Sequence, residues 1–320
     1  MSGARLVARA GGAMMLGRPT FWFIALVVAV FVLAPAIGGD VELRESLLLA
    51  AVYITLASNL NIMLGYCGYI CVYLMSAQGW PLAGAALAAG AAVSAFALLF
   101  GLGILRLRGA FFALATIGVN EAVQAFVVNF EPWGGSAGLY LSAELFQPLG
   151  GAARALWVIY FLIVAVMGLS LYLSHAIKNS KFGLGLLAIG QNEDAAAVLG
   201  VPTPLYKALA YSISAFLPAV AGALFFFKSA FIQPDDAFDL VFSTEAIVAV
   251  MLGGQGTVVG PALGAFLYEE LRSTLLTAQA LSNFQLVIAG TLLLIIVLFV
   301  PGGLTGWIHR RWPRSKRMLE

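Results

Sequence analysis

Runs of apolar residues bounded by charge, glycine or proline recur along the whole chain, and they set its architecture before any other feature is considered. They predict spans near 20–37, 47–64, 66–79, 81–105, 110–130, 155–174, 206–231, 242–253, 260–276 and 284–300. A straight helix needs about 20 mostly apolar residues to cross a bilayer, so 66–79 and 242–253 read as partial or broken spans. The expected fold is all-α, a polytopic membrane protein with about ten transmembrane or partly spanning helices. A transmembrane domain over 20–306 is flanked by a segment 1–19 and a basic tail 307–320. Arg5, Arg9 and Arg18 precede the first run and Ala34-Pro35-Ala36 closes it, a layout that cleaved leaders share. Because equally apolar runs follow throughout, it reads as a first transmembrane helix.

Charge gives the spans a direction. With alternate crossings, Arg5, Arg9, Arg18, Arg106, Arg108, Lys178, Lys181, Lys207, Arg310, Arg311, Arg314, Lys316 and Arg317 collect on one side, 13 of the 17 basic residues. Arg44, Arg154, Lys228 and Arg272 fall on the other, so both termini are expected in the cytoplasm. Two connections stand out: an external loop near 131–154 carrying Trp133, Gly134, Gly135, Ser136 and Gly138, and a cytoplasmic loop near 175–205.

Composition agrees with the span count: 62% of the 320 residues are hydrophobic and 10% charged, against roughly 25% charged in soluble domains. A net charge of +2 gives no reason to expect nucleic acid. Cys67 and Cys71 lack both CxxC spacing and partner ligands, so they read as packing residues and no metal or other cofactor is expected. The two histidines, His175 and His309, fall outside the spans, which argues against an intramembrane Ser/His enzyme. No Walker A pattern is present, so ATP would have to be hydrolysed elsewhere.

The cytoplasmic loop holds the sharpest local signal. Asn192 can cap a helix whose first turn carries Glu193 and Asp194, whose body is Ala195, Ala196 and Ala197, and whose stop is Gly200. So short a helix is unstable alone in water and needs a surface to pack on, either its own protein or a partner. A weak repeat relates Met63-Leu64-Gly65-Tyr66-Cys67-Gly68 to Met251-Leu252-Gly253-Gly254-Gln255-Gly256. Glycine-interrupted segments in corresponding halves point to a transport pathway, which makes Asn61, Gly65, Gly68, Gly253, Gly254 and Gly256 candidates for a path or gate; chance recurrence is the alternative. Glu121 lies near the middle of its span and is expected to face protein or water, as a pathway group or an inter-helix tie, with Gln124 its same-face partner. Glu245 sits near the outer end of its span, and Glu269, Glu270 and Arg272 read as a self-paired local cluster.

Several blocks in order resemble the branched-chain amino-acid permeases of ABC importers. They are Leu60 to Tyr66, Leu105 to Ala113, Gly118 to Glu121, Glu193 to Gly200, Pro204 to Lys207, and Leu252 to Pro261. The resemblance covers roughly 47–300. It implies a non-enzymatic pore-forming subunit in a bacterial inner membrane, in contact with membrane lipid. Its partners would be two cytoplasmic ATPase subunits, a second related permease or second copy of this chain, and a periplasmic substrate-binding protein. In this setting the 193–200 helix couples to an ATPase, with bulk at Ala196 expected to disturb it, and the Trp133 to Gly138 turn docks the binding protein. Hydrophobic or branched-chain amino acids are the implied solutes. Between 69 and 79 the chain departs from the family pattern, leaving amides, urea or small carboxylates open. A stand-alone transporter or channel using Glu121 as an ion or proton site is the alternative.

Overall fold

The computed structural model describes residues 19–38, 41–59, 64–107, 109–141, 145–147, 150–254, 256–277, 287, 290–291 and 303–306. The helices are α1 (Pro19–Gly38), α2 (Val41–Asn59), α3 (Leu64–Gln78), α4 (Leu82–Ile104), α5 (Ala110–Val128), α6 (Ala152–Lys178), α7 (Lys181–Gln191), α8 (Glu193–Val198), α9 (Thr203–Ser229), α10 (Pro234–Ala237), α11 (Leu240–Gly253) and α12 (Val259–Thr277). Among the described residues the strands are β1 (Leu139–Tyr140) and β2 (Phe231–Ile232), paired antiparallel with Leu139 opposite Ile232. The protein is therefore an all-α polytopic membrane protein. Four described helices are long and apolar enough to cross a bilayer by length and composition: Leu82–Ile104, Ala110–Val128, Ala153–Lys178 and Thr203–Ser229.

The expected spans up to 276 each correspond to one of these helices. The span near 284–300 and the segments 1–18 and 307–320 lie outside the described residues. One expectation needs correction: 175–205 is not a loop with a single short helix, because α7 fills most of its first half.

The chain divides into two compact units. One contains Asn59–Val166 and Ala176–Thr244. Here α9 packs along α4 and α3. Gly90, Ser94, Ala97 and Gly101 recur at helical spacing, and this narrow face lets α9 approach closely. A side chain at Gly90 would meet Val220 and Phe216, and one at Gly101 would meet Tyr211 and Ala208. Two serines lock the seam: Ser94 Oγ lies 2.9 Å from Ser212 O, and Ser212 Oγ donates to Ser94 O at 2.8 Å.

The other unit contains Met1–Ser58, Met167–His175 and Glu245–Glu320. The end of α11 and the start of α12 approach through backbone. A Cβ on Gly264 would overlap Ala249 O and the Gly253 amide, so only hydrogen fits there. Thr305 Oγ1 donates to Gly253 O at 2.8 Å, and Gly260 N donates to Thr257 Oγ1 at 2.9 Å, which satisfies polar groups freed where the helices stop.

Candidate coupling surface, cap and acids within apolar helices

The basic end of the first-described unit is built on α7 and α8. Ser180 caps α7, its Oγ accepting from Gly183 N at 3.0 Å. Asn192 is extended (φ −159°, ψ 111°), and its Oδ1 accepts from Ala195 N at 3.0 Å, as the capping pattern of the sequence requires. The chain leaves α8 through Gly200 at φ +89°, with Val201 N returning to Ala196 O at 3.1 Å. Lys207 Nζ reaches Glu193 Oε1 at 2.7 Å and Leu105 O at 2.8 Å, tying α8, the start of α9 and the end of α4 together. The ring of Tyr206 fills the space left by Gly185 and lies 5.0 Å from that of Phe182, which fixes α7 on α9.

This scaffold decides which α8 residues are available. Ala196 is 1% exposed, packed into its own chain, whereas Val198 is 89% and Leu199 81% exposed. Ala196 is therefore not itself open to a partner, and Trp there would disturb the seat of α8 on its own chain. Ala195, Ala197, Asp194 and Gly200 do face outward, and Glu193 is held by Lys207. On α7, Leu184 (64%) and Leu187 (62%) are exposed as well. Four large apolar side chains are thus exposed on two neighbouring short helices, at the end where Lys and Arg concentrate.

At the other end of α9, about 40 Å away along a 27-residue helix, lies a cap built from 131–141 and 230–239. Two 3-10 turns, Glu131–Trp133 and Gly135–Ala137, lead into β1, which pairs with β2. Gly138 is buried at φ +76°, and a Cβ there would overlap Ile232 O, which is how the turn comes so close to β2. Trp133 serves this cap from within: its ring stacks on Tyr69 at 6.2 Å and meets Phe130 edge-on at 5.3 Å. Gly134 N and Gly138 N are likewise used inside the turns, on Glu131 O and Gly135 O. Glu131, Pro132, Ser136, Ala137 and Tyr140 are the residues that face outward, while Gly134 and Gly135 are half-buried.

The glycines expected to mark a pathway separate into different roles. Asn61 lies outside the described residues. Gly65 and Gly68 fall inside the first turns of α3, and Gly68 is a contact point, with Phe226 Cδ2 3.0 Å from where its Cβ would be. Gly253 and Gly254 are buried at the end of α11, and Gly256 is exposed in the turn that follows. The two halves of the short repeat thus open one helix and close another, so they are not structurally equivalent.

The intramembrane acids also part company. Glu245 is 3% exposed: it accepts a short hydrogen bond from Tyr53 Oη, and its Oε1 lies 3.4 Å from Arg272 Nε. Arg272 also reaches Glu269 Oε2 at 3.6 Å and lies 5.7 Å above the Tyr53 ring. One guanidinium therefore serves two buried carboxyls, and Glu245 belongs to the Glu269–Arg272 cluster from which its sequence position had separated it. The signal was available: an acid and a base in consecutive apolar spans each cost several kcal/mol unless they meet. Glu121 is exposed and has no hydrogen-bond or ion-pair partner among the described residues. Gln124 does not pair with it, because Gln124 Nε2 donates to Asp235 Oδ1 at 3.0 Å, and Asn120 Nδ2 donates to Phe238 O at 2.9 Å. No group of three or more metal-ligating side chains occurs among the described residues.

The chain is similar in sequence to known transport permeases. The chain is 32% identical over 152 residues to the ribose import permease protein of Bacillus subtilis (strain 168), covering 43% of this chain and 46% of that protein. It is 26% identical over 296 residues to the high-affinity branched-chain amino acid transport system permease protein of Escherichia coli (strain K12), covering 80% of this chain and 68% of that one. To the autoinducer 2 import system permease protein of Salmonella paratyphi B it is 27% identical over 187 residues, 56% of this chain and 54% of that protein. The matches thus span about half the length of the ribose and autoinducer relatives. No solved structure matches the chain. The family described as branched-chain amino acid transport system / permease component matches residues 43–297, and the chain belongs to that family of transport permeases.

Proposed function

We propose that the chain is the pore-forming permease subunit of an ATP-driven importer and that Leu184, Leu187, Val198 and Leu199 form its docking surface for an ATPase. The apolar pairs on α7 and α8 carry this reading: they protrude from a unit that is capped, stopped and tied down by Lys207, at the end richest in basic residues. An exposed apolar surface on a rigid mount transmits displacement, whereas one on a mobile loop would absorb it. The basic end then faces the cytoplasm. The cap over 131–141 and 230–239 faces the opposite side, where Ser136, Ala137 and Tyr140 would meet a soluble binding protein. A second permease, related or identical, completes the pore.

Aliphatic amino acids are the solutes this reading favours, by likeness to the Escherichia coli relative over 80% of this chain. The sugar and autoinducer relatives keep other small polar solutes in play.

The test is association. Isolated from its native membrane in mild detergent, the parent chain should bring down a Walker-type ATPase, and Val198→Asp with Leu199→Asp should weaken that association by roughly tenfold or more, as loss of central apolar contacts does. Retention of the ATPase at parent level by the double variant would refute the assignment.

A further inference from the structure

Among the four candidate spans, Glu121 is the charged residue that lies in a helix interior; Arg154, Lys178, Lys207 and Lys228 sit near helix ends. It is two residues past the centre of the 19-residue α5. Helical spacing places Ala110, Leu114, Ile117, Gly118 and Ala125 on the same face as Glu121, and each of them is exposed. Among the described residues, no atom beyond its own helical turns lies within 4 Å of where a Cβ on Gly118 would be, one turn before Glu121. The buried residues of α5, Asn120 and Val127, lie on another face. The carboxyl thus stands at the centre of an open stripe.

Three environments could meet that stripe: lipid, a neighbouring helix or water. Lipid is the least favourable, since an acid at the helix centre costs about 2.5–3.5 kcal/mol on insertion scales. The flanking amides that could have neutralised the acid locally are committed to the 234–239 segment. That segment brings acid of its own: Asp235 is bonded to Gln124, which lies one helical turn from Glu121, and Asp236, Asp239 and Glu131 are exposed at the same end. The described basic groups of this unit at this end are Arg154 and Lys228. A negative, open strip running inward from the cap to a lone carboxyl favours positive charge by simple electrostatics.

We propose that this face of α5 lines the solute path and that Glu121 selects solutes carrying a protonated amine, accepting its hydrogen bonds as the solute passes. The inference rests on the permease reading above and narrows it: zwitterionic amino acids and cationic amines fit, whereas free carboxylates do not.

The experiment needs no knowledge of the natural solute. In the assembled transporter in native membranes, with Cys67 and Cys71 replaced by alanine, Gly118→Cys is labelled with cationic trimethylammonioethyl methanethiosulfonate and with its anionic sulfonatoethyl counterpart. Ala125→Cys, on the same face one turn beyond Glu121, serves as a second position should the glycine variant fold poorly. The expected result is labelling by both reagents with the cation favoured by about tenfold, and loss of that preference when Glu121→Gln is added. If neither position is labelled, the face is not wetted and the inference is overturned. If both are labelled without charge preference, or the preference survives Glu121→Gln, Glu121 is not the selector. ATPase association through Val198 and Leu199 is measured separately, so either failure leaves the coupling assignment standing.

Discussion

Glu245 and Glu121 are both acids within apolar helices, yet the first is buried against Tyr53 and Arg272 while the second stands on the open face of α5 with its neighbouring amides bonded elsewhere. In a low-dielectric setting a carboxyl that is paired on all sides acts as a structural tie, because removing any member strands the others. A carboxyl left open contributes nothing to the isolated fold, so its presence is explained by something outside it. Breaking the Glu245 cluster should therefore cost stability and spare selectivity, and altering Glu121 should do the reverse.

The largest expected effect is at Arg272. Arg272→Leu leaves Glu245 and Glu269 without their shared cation and should destabilise the chain by about 3–5 kcal/mol, measured as an unfolding midpoint in detergent. Adding Glu245→Gln should recover part of that loss; full additivity would show that the pair does not interact. Tyr53→Phe removes one donor to a buried carboxyl and should cost about 1–3 kcal/mol in the same assay. Asn192→Ala removes the cap of α8 and should cost about 1 kcal/mol, visible as faster amide exchange across 193–199 with the rest of the chain unchanged. Smallest is the effect of Glu121→Gln on stability: the midpoint should not move, and a marked drop would make Glu121 a structural tie after all.

The span pattern was legible because the apolar runs are long and the bilayer demands them, and the Asn192 cap because its residues are local neighbours. What could not be read were facts set by three-dimensional packing. Lys181-Phe182-Gly183-Leu184-Gly185 reads as loop since two glycines in the first turns weaken helix propensity, yet Gly185 is there because Tyr206 occupies the space a side chain would need. Ala196 and Val198 are two positions apart on a helix and thus point about 200 degrees apart, and only the anchor at Lys207 shows which one turns inward. Trp133 looks like an interface residue from its loop position, but Tyr69 and Phe130 reach it from the same unit. The glycine repeat could not show local structure, because a glycine beside an apolar run can lie in the first turns of a helix, as Gly65 does, or end one, as at Gly253.

In the proposed complex α8 touches an ATPase through Val198 and Leu199 and not through Ala196. It is tested most directly by site-specific crosslinking in native membranes, with Val198→Cys, Leu199→Cys and Ala196→Cys compared side point by side point in a chain freed of Cys67 and Cys71. Strong crosslinks to a Walker-type ATPase are expected from 198 and 199, and none from 196. Crosslinking from 196 alone, or from none of the three while the ATPase remains bound, would contradict it.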